Sequence, residues 1–155
     1  MSGAIVMHPI GVVRSTRAAP TDDSWDAETA RIELDTDRFG PDALRGLDAF
    51  SHVEVVFVFD RVDEAGVQTG ARHPRGNTAW PSVGIFAQRG RNRPNRLGVT
   101  ICRLLRVEGT VLHLAGLDAI EGTPVLDIKP WIAGFGPRGA VREPDWAREL
   151  MRDYW

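Results

Sequence analysis

Residues 50–62 read FSHVEVVFVFDRV, and the fold follows from how this stretch is read. Val53, Val55, Phe57 and Phe59 fall on one face of an extended chain, with Glu54, Val56, Val58 and Asp60 on the other. Both faces are mostly apolar from Val55 to Phe59, which predicts a strand with neighbours on both sides. Further strands are expected at residues 4–13, 30–34, 82–88, 97–107, 110–115 and 125–129. Pro9 and Gly11 mark an edge or bulge in the first of these, and Gly109 makes a tight turn before the fifth. Residues 41–47 form at most a short helix, broken at Gly46. Residues 144–155 read as a C-terminal helix, with Trp146, Leu150 and Tyr154 on one face. Strands with so little helix predict a single mostly β domain over residues 1–155. Its expected form is a small closed or nearly closed β-barrel with a short C-terminal helix. Strand and helix do not alternate, which argues against a doubly wound nucleotide fold.

The chain has 155 residues, enough to bury a core without staples. Its single cysteine, Cys102, excludes an internal disulfide and lies in an apolar run that predicts a buried, inert thiol. Residues 1–11 lack the basic start and long apolar core of a secretory leader, and no apolar run is long enough to cross a bilayer. A cytoplasmic protein with no membrane partner is expected.

Net charge is only −2, but its distribution is uneven. From residue 65 to 107 there is no Asp or Glu, yet there are eight arginines: Arg72, Arg75, Arg89, Arg91, Arg93, Arg96, Arg103 and Arg106. One sign of charge in one segment predicts a local positive field. Its centre is residues 84–98, GIFAQRGRNRPNRLG. A loop dense in guanidinium forks and side-chain amides suits anions and planar polar groups.

Other chemistries find no support. The glycines form no dinucleotide fingerprint or phosphate loop, no serine sits in a nucleophile elbow, and His8, His52, His73 and His113 share no metal-ligand spacing, so no metal is expected. His73 lies near Arg72 and Arg75, where a ligand contact and a plain loop position are both open. Three polar loops can converge at one end of a barrel: residues 18–22, the arginine loop, and residues 118–124. Arginines would then stand beside Asp118 and Glu121, the arginines suited to a carboxylate or phosphate and the acids to an ammonium, a ribose hydroxyl or an amine. The alternative for residues 118–124 is a turn ahead of a strand.

Four stretches resemble the TsaA-like, or TrmO, family of methyltransferases. They are Pro9-Ile10-Gly11 with Val12 and Val13; Phe50-Ser51-His52 running into the VFVF strand; residues 84–98, with Arg89, Arg93, Pro94, Asn95 and Gly98 in the family's arrangement; and DAIEGTPVLDIKP at residues 118–130. The resemblance implies a β-barrel that binds S-adenosylmethionine, as a homodimer, and methylates N6 of threonylcarbamoyladenosine beside the tRNA anticodon. It implies a cofactor held by Ala19, Pro20, Thr21, Asp60, Arg61, Arg89, Gly98, Val99, Asp118, Glu121, Gly122 and Thr123. Arg91, Arg93, Asn95 and Arg96 are then expected to meet RNA. Arg91 and Arg96 depart from the family's usual residues.

Methyl transfer is an in-line displacement that needs positioning and a proton acceptor. The candidate bases are Asp118, Glu121 and His73. Two alternatives stay open at this level: the same chemistry on a small molecule, and a non-catalytic RNA-binding barrel built on the arginines and Trp80.

Overall fold

The computed structural model describes residues 3–155, so the first two residues of the segment read for a leader lie outside it. Eight strands appear in chain order: β1 Gly11–Ser15, β2 Thr29–Leu34, β3 His52–Val58, β4 Ala71–Arg72, β5 Val83–Gly84, β6 Leu97–Glu108, β7 Val111–Ala115 and β8 Pro124–Pro130. Six of them close into a barrel in the order β1-β2-β7-β6-β3-β8, while β4 and β5 pair as a small separate ribbon. Every neighbouring pair is antiparallel. The closed barrel expected from the strand pattern is the observed fold.

β3 pairs with β6 on one side and β8 on the other, as expected of a strand flanked on both edges. Val53, Val55 and Phe57 point into the barrel and are fully buried with Val13, Ile32, Leu112, Leu114, Leu117 and Val125. Phe57 and Phe59 meet edge to face with centroids 5.3 Å apart. A six-stranded barrel has room inside only for such side chains, so a ligand site belongs at a rim. The seam between β1 and β8 has only two register pairs, Gly11 with Val125 and Val12 with Pro124. On its other side β1 approaches β2 closely: a Cβ on Gly11 would lie 2.4 Å from the Glu33 carbonyl oxygen.

Three expectations change in extent. The first strand begins at Gly11, and residues 5–7 precede it exposed and without ladder partners. The strand expected at residues 82–88 shrinks to β5 and a 3-10 turn at Ile85–Ala87. There the buried Gln88 amide donates to the carbonyls of Arg72 and Val83, doing locally what a neighbouring strand would do. The C-terminal helix is only α1, Asp145–Leu150. Beyond it the carbonyls of Asp153 and Tyr154 turn to accept from the backbone N–H groups of Ser24 and Trp25. Cys102 is buried as expected, and burial, then the charge of Asp118, pushes its thiol up to about 12. No helix among the described residues is long and apolar enough to cross a membrane.

Candidate active site

Antiparallel closure decides where the loops go. The β1–β2, β3–β6 and β7–β8 connections, residues 16–28, 59–96 and 116–123, all leave from the same rim. The three polar loops singled out from sequence therefore meet, and arginines tie them together. Arg61 donates from Nη1 to the Ala18 carbonyl at 3.0 Å and from Nη2 to the Glu121 carbonyl at 2.9 Å. Arg91 donates to the Pro20 carbonyl at 3.1 Å, bridging the arginine loop to the first loop. Ala19, Pro20 and Thr21 are exposed above these contacts, as are Asp60 and Arg61.

The arginine loop is shaped by guanidinium-to-carbonyl bonds. Arg89 donates to Val99, Arg93 to Gln88 and Arg96 to Val62. Arg75, Arg103 and Arg106 have carboxylate partners. Among the described residues Arg72, Arg89, Arg91, Arg93 and Arg96 have none. A carbonyl orients a guanidinium without cancelling its charge, so the positive field expected from sequence survives folding. Arg72 Nε is buried with no hydrogen-bond partner, and its Nη2 would lie 3.2 Å from a Cβ on Gly90. The non-glycine residues with left-handed backbone are Ser24, Arg75, Asn95 and Arg96, and all belong to these rim loops. Strain of this kind persists only where surrounding contacts enforce it, and it concentrates at functional sites. Arg93 and Arg96 are half-buried and turned onto the protein's own carbonyls, whereas Arg91 and Asn95 are exposed.

The candidate acids and base differ sharply in setting. Asp118 accepts from Thr100 Oγ1 on one carboxylate oxygen and from the Tyr154 hydroxyl on the other. Glu121 points away along the outside of the barrel, accepting from the Ser15 backbone N–H at 2.6 Å and from Arg14 at 3.2 Å. The Ser15 bond first, and Arg14 after it, hold its carboxyl below the usual carboxylate range. A depressed carboxylate contributes to the fold above its unfolded pKa and loses that contribution as pH falls through its folded one. Hydrogen-exchange protection of the Ser15 amide should therefore fall below about pH 4, and Glu121→Gln should flatten that dependence; equal acid loss in the variant would show that Glu121 plays no part. His73 Nδ1 lies 2.6 Å from the Trp80 carbonyl. Since a carbonyl only accepts, Nδ1 carries the hydrogen and Nε2 remains for other work.

Gly122 and Thr123 do different work from exposed cofactor contacts. Gly122 takes φ +83° and donates to the Val13 carbonyl, and the Thr123 carbonyl accepts from Val13. Thr123 is only 4% exposed. The pair closes the β1–β8 seam and thereby presents Asp118 and the Glu121 carbonyl to the rim. Gly98 is likewise buried, packed on Phe57, and Val99 beside it is exposed.

Sequence reasoning missed Arg17, Thr100 and Tyr154. Arg17 binds Glu28 from two nitrogens, Thr21 Oγ1, and the carbonyls of Asp23 and Ser24, while stacking 3.9 Å over Trp25. The abundance of Asp, Thr and Glu in residues 16–28 was a signal that this loop has an internal charge partner.

The family model for the tRNA-methyltransferase O N-terminal domain matches residues 12–136. The human tRNA (adenine(37)-N6)-methyltransferase is 35% identical over 150 residues, covering 92% of this chain and 34% of that protein. A probable S-adenosyl-L-methionine-binding protein of Pyrococcus abyssi is 31% identical over 142 residues, covering 89% of this chain and 74% of its own length. The crystal structure of TrmO from P. aeruginosa superposes with a TM-score of 0.75 at 28% identity, covering 94% of this chain and 63% of that one. The chain spans about a third of the length of its mammalian curated relatives.

Proposed function

We propose, because this chain belongs to the tRNA-methyltransferase O N-terminal domain family, that it is an S-adenosylmethionine-dependent methyltransferase acting on N6 of adenine 37 in tRNA. The finer acceptor in this reading is threonylcarbamoyladenosine. The observation that carries it is the rim of five guanidinium groups without carboxylate partners, set against a loop that presents Asp118.

The residues present fit such a cofactor. The buried Arg72 Nε lacks a partner, and Arg89 stands nearby with no acid to neutralise it, a donor set suited to a carboxylate. The first loop exposes Ala19, Pro20 and Thr21 around carbonyls that Arg61 and Arg91 already orient. Asp60, Gly98 and Val99 line the same rim in this reading. When bound, the cofactor supplies a methyl group on a positively charged sulfur. The protein's part is to hold the acceptor amine in line, exclude water, and take one proton. Asp118 suits the acceptor role better than Glu121, whose carboxylate is spent on Ser15 and Arg14 outside the barrel.

Arg91 and Asn95 face outward and suit RNA phosphates; Arg93 and Arg96 act by holding the loop's shape. A homodimer is part of the proposal: β6 turns Val99, Ile101 and Leu105 outward as an exposed apolar row. A cytoplasmic location goes with this reading.

The test is incubation with labelled S-adenosylmethionine and bulk tRNA. Label should enter tRNA as N6-methylated nucleoside, and Arg91→Ala should weaken tRNA binding roughly tenfold with a shallower salt dependence, with a smaller loss of cofactor affinity through its lost bond to Pro20. Cofactor binding with no label in any tRNA would move the reading to a small-molecule acceptor.

A further inference from the structure

The C-terminal segment does not stay where β8 leaves it. Residues 131–155 start at the opposite rim, after Pro130, and cross to the loop rim. There the segment is fastened at three places. Asp153 and Tyr154 carbonyls accept from Ser24 and Trp25 at 2.9 Å each, and Trp80 Nε1 donates to Glu149 at 2.7 Å. The third is the Tyr154 hydroxyl on Asp118. Tyr154 also packs edge to face on Trp155, with centroids 4.9 Å apart. A segment that only covered apolar surface would not place a hydroxyl on the carboxylate of the β7–β8 loop.

We propose that Tyr154 is a positioning residue, whose hydroxyl, opposite Thr100, fixes the Asp118 carboxylate beside the arginine cluster in the orientation that the cofactor or acceptor amine meets. This deepens the methyltransferase reading and rests on it. Each carboxylate oxygen accepts one neutral donor from the protein and keeps a lone pair for a ligand. Burial first, then the charge and hydrogen bond of Asp118, raise the Tyr154 phenol above its ordinary range. It therefore stays a donor at every working pH. The charged and titratable groups around the pair come from three elements. Cys102 lies beside Asp118 from β6, Arg89 and Arg75 face Tyr154 from the long loop, and Asp26, paired with Arg103, lies near Gly116. None of the carboxylates among them bonds to Asp118, so Tyr154 and Thr100 alone set its hydrogen bonding among the described residues.

The experiment compares wild type, Tyr154→Phe and Glu149→Ala. The Asp118 carboxyl carbon resonance is compared at one neutral pH, and S-adenosylmethionine binding is measured by calorimetry at the same pH. In Tyr154→Phe one oxygen of the carboxylate loses its donor, so the resonance should move and the affinity should fall roughly tenfold. Glu149→Ala removes the Trp80 contact without touching Asp118 and should leave the resonance in place. An unchanged Asp118 resonance in Tyr154→Phe, or an equal displacement in Glu149→Ala, would overturn the positioning role. Wild-type protein that binds no S-adenosylmethionine would instead overturn the cofactor reading, while the Asp118 resonance still decides whether Tyr154 holds that carboxylate.

Discussion

Gly98→Ala is expected to lower stability by about 3 kcal/mol, or roughly 6–12 °C in a domain of this size. An added Cβ would lie 2.4, 2.5 and 2.9 Å from three ring atoms of Phe57. That ring has nowhere to go. Phe57 is 1% exposed, packs edge to face on Phe59, and sits at the only place where the β3–β8 register shifts. The alternative is for β6 to move outward, which breaks its pairing with Phe57 and Val58. It would also drag the Val99 carbonyl from Arg89, so ligand binding should fall with stability. Thermal unfolding measures the first effect and calorimetry the second. A double variant with Phe57→Leu should melt higher than the sum of the two single losses predicts, because the smaller side chain vacates the contested space. A melting point for Gly98→Ala within a degree or two of wild type would sink the argument.

Arg17→Ala is the second large effect. The Arg17 side chain is 13% exposed and its partner Glu28 is 24% exposed. Truncation leaves a partly buried carboxylate without its cation and two carbonyls without a donor, at a cost of about 2–3 kcal/mol after allowing for solvent access. The loss falls on residues 17–28, so the surface made by Ala19, Pro20 and Thr21 should lose its shape and bind S-adenosylmethionine at least about tenfold more weakly. Arg17→Lys should rescue little, because one ammonium cannot reach Glu28, Thr21 and two carbonyls from a planar fork. Pairing Arg17→Ala with Glu28→Gln separates the two consequences. Stability should partly return, since the unpaired charge is gone, while binding should not. Recovery of both would mean that Arg17 matters only as a counter-ion.

Much of the barrel was legible because β3 states its own environment. Its apolar alternation marked it as a strand inside a sheet, and β6 and β8 flank it while Val53, Val55 and Phe57 fill the barrel interior. The strand at residues 82–88 was misread for a local reason. Its apolar residues, Val83 and Ile85, look like a strand, but the ladder there is replaced by one glutamine side chain. The terminal helix was overread because the 146, 150, 154 spacing is satisfied by a helix followed by a turn. Only packing shows that Tyr154 leaves the helix to reach Asp118.

The candidate site divides along the same line. The amino-acid sequence by itself determined the acid-free arginine segment, the three polar loops and the absence of an internal disulfide, since charge and residue type belong to the chain however it folds. Which arginines keep an uncompensated charge was decided by the tertiary structure. Arg75 and Arg103 find Asp23 and Asp26 across the rim, while Arg89, Arg91, Arg93 and Arg96 find carbonyls. Antiparallel closure turned three distant loops to one end, and it brought Thr100 and Tyr154 to opposite oxygens of one carboxylate. Contacts between residues 18 and 36 positions apart along the chain leave no local trace, because a hydrogen bond depends on position in space and sequence pattern reports only on neighbours.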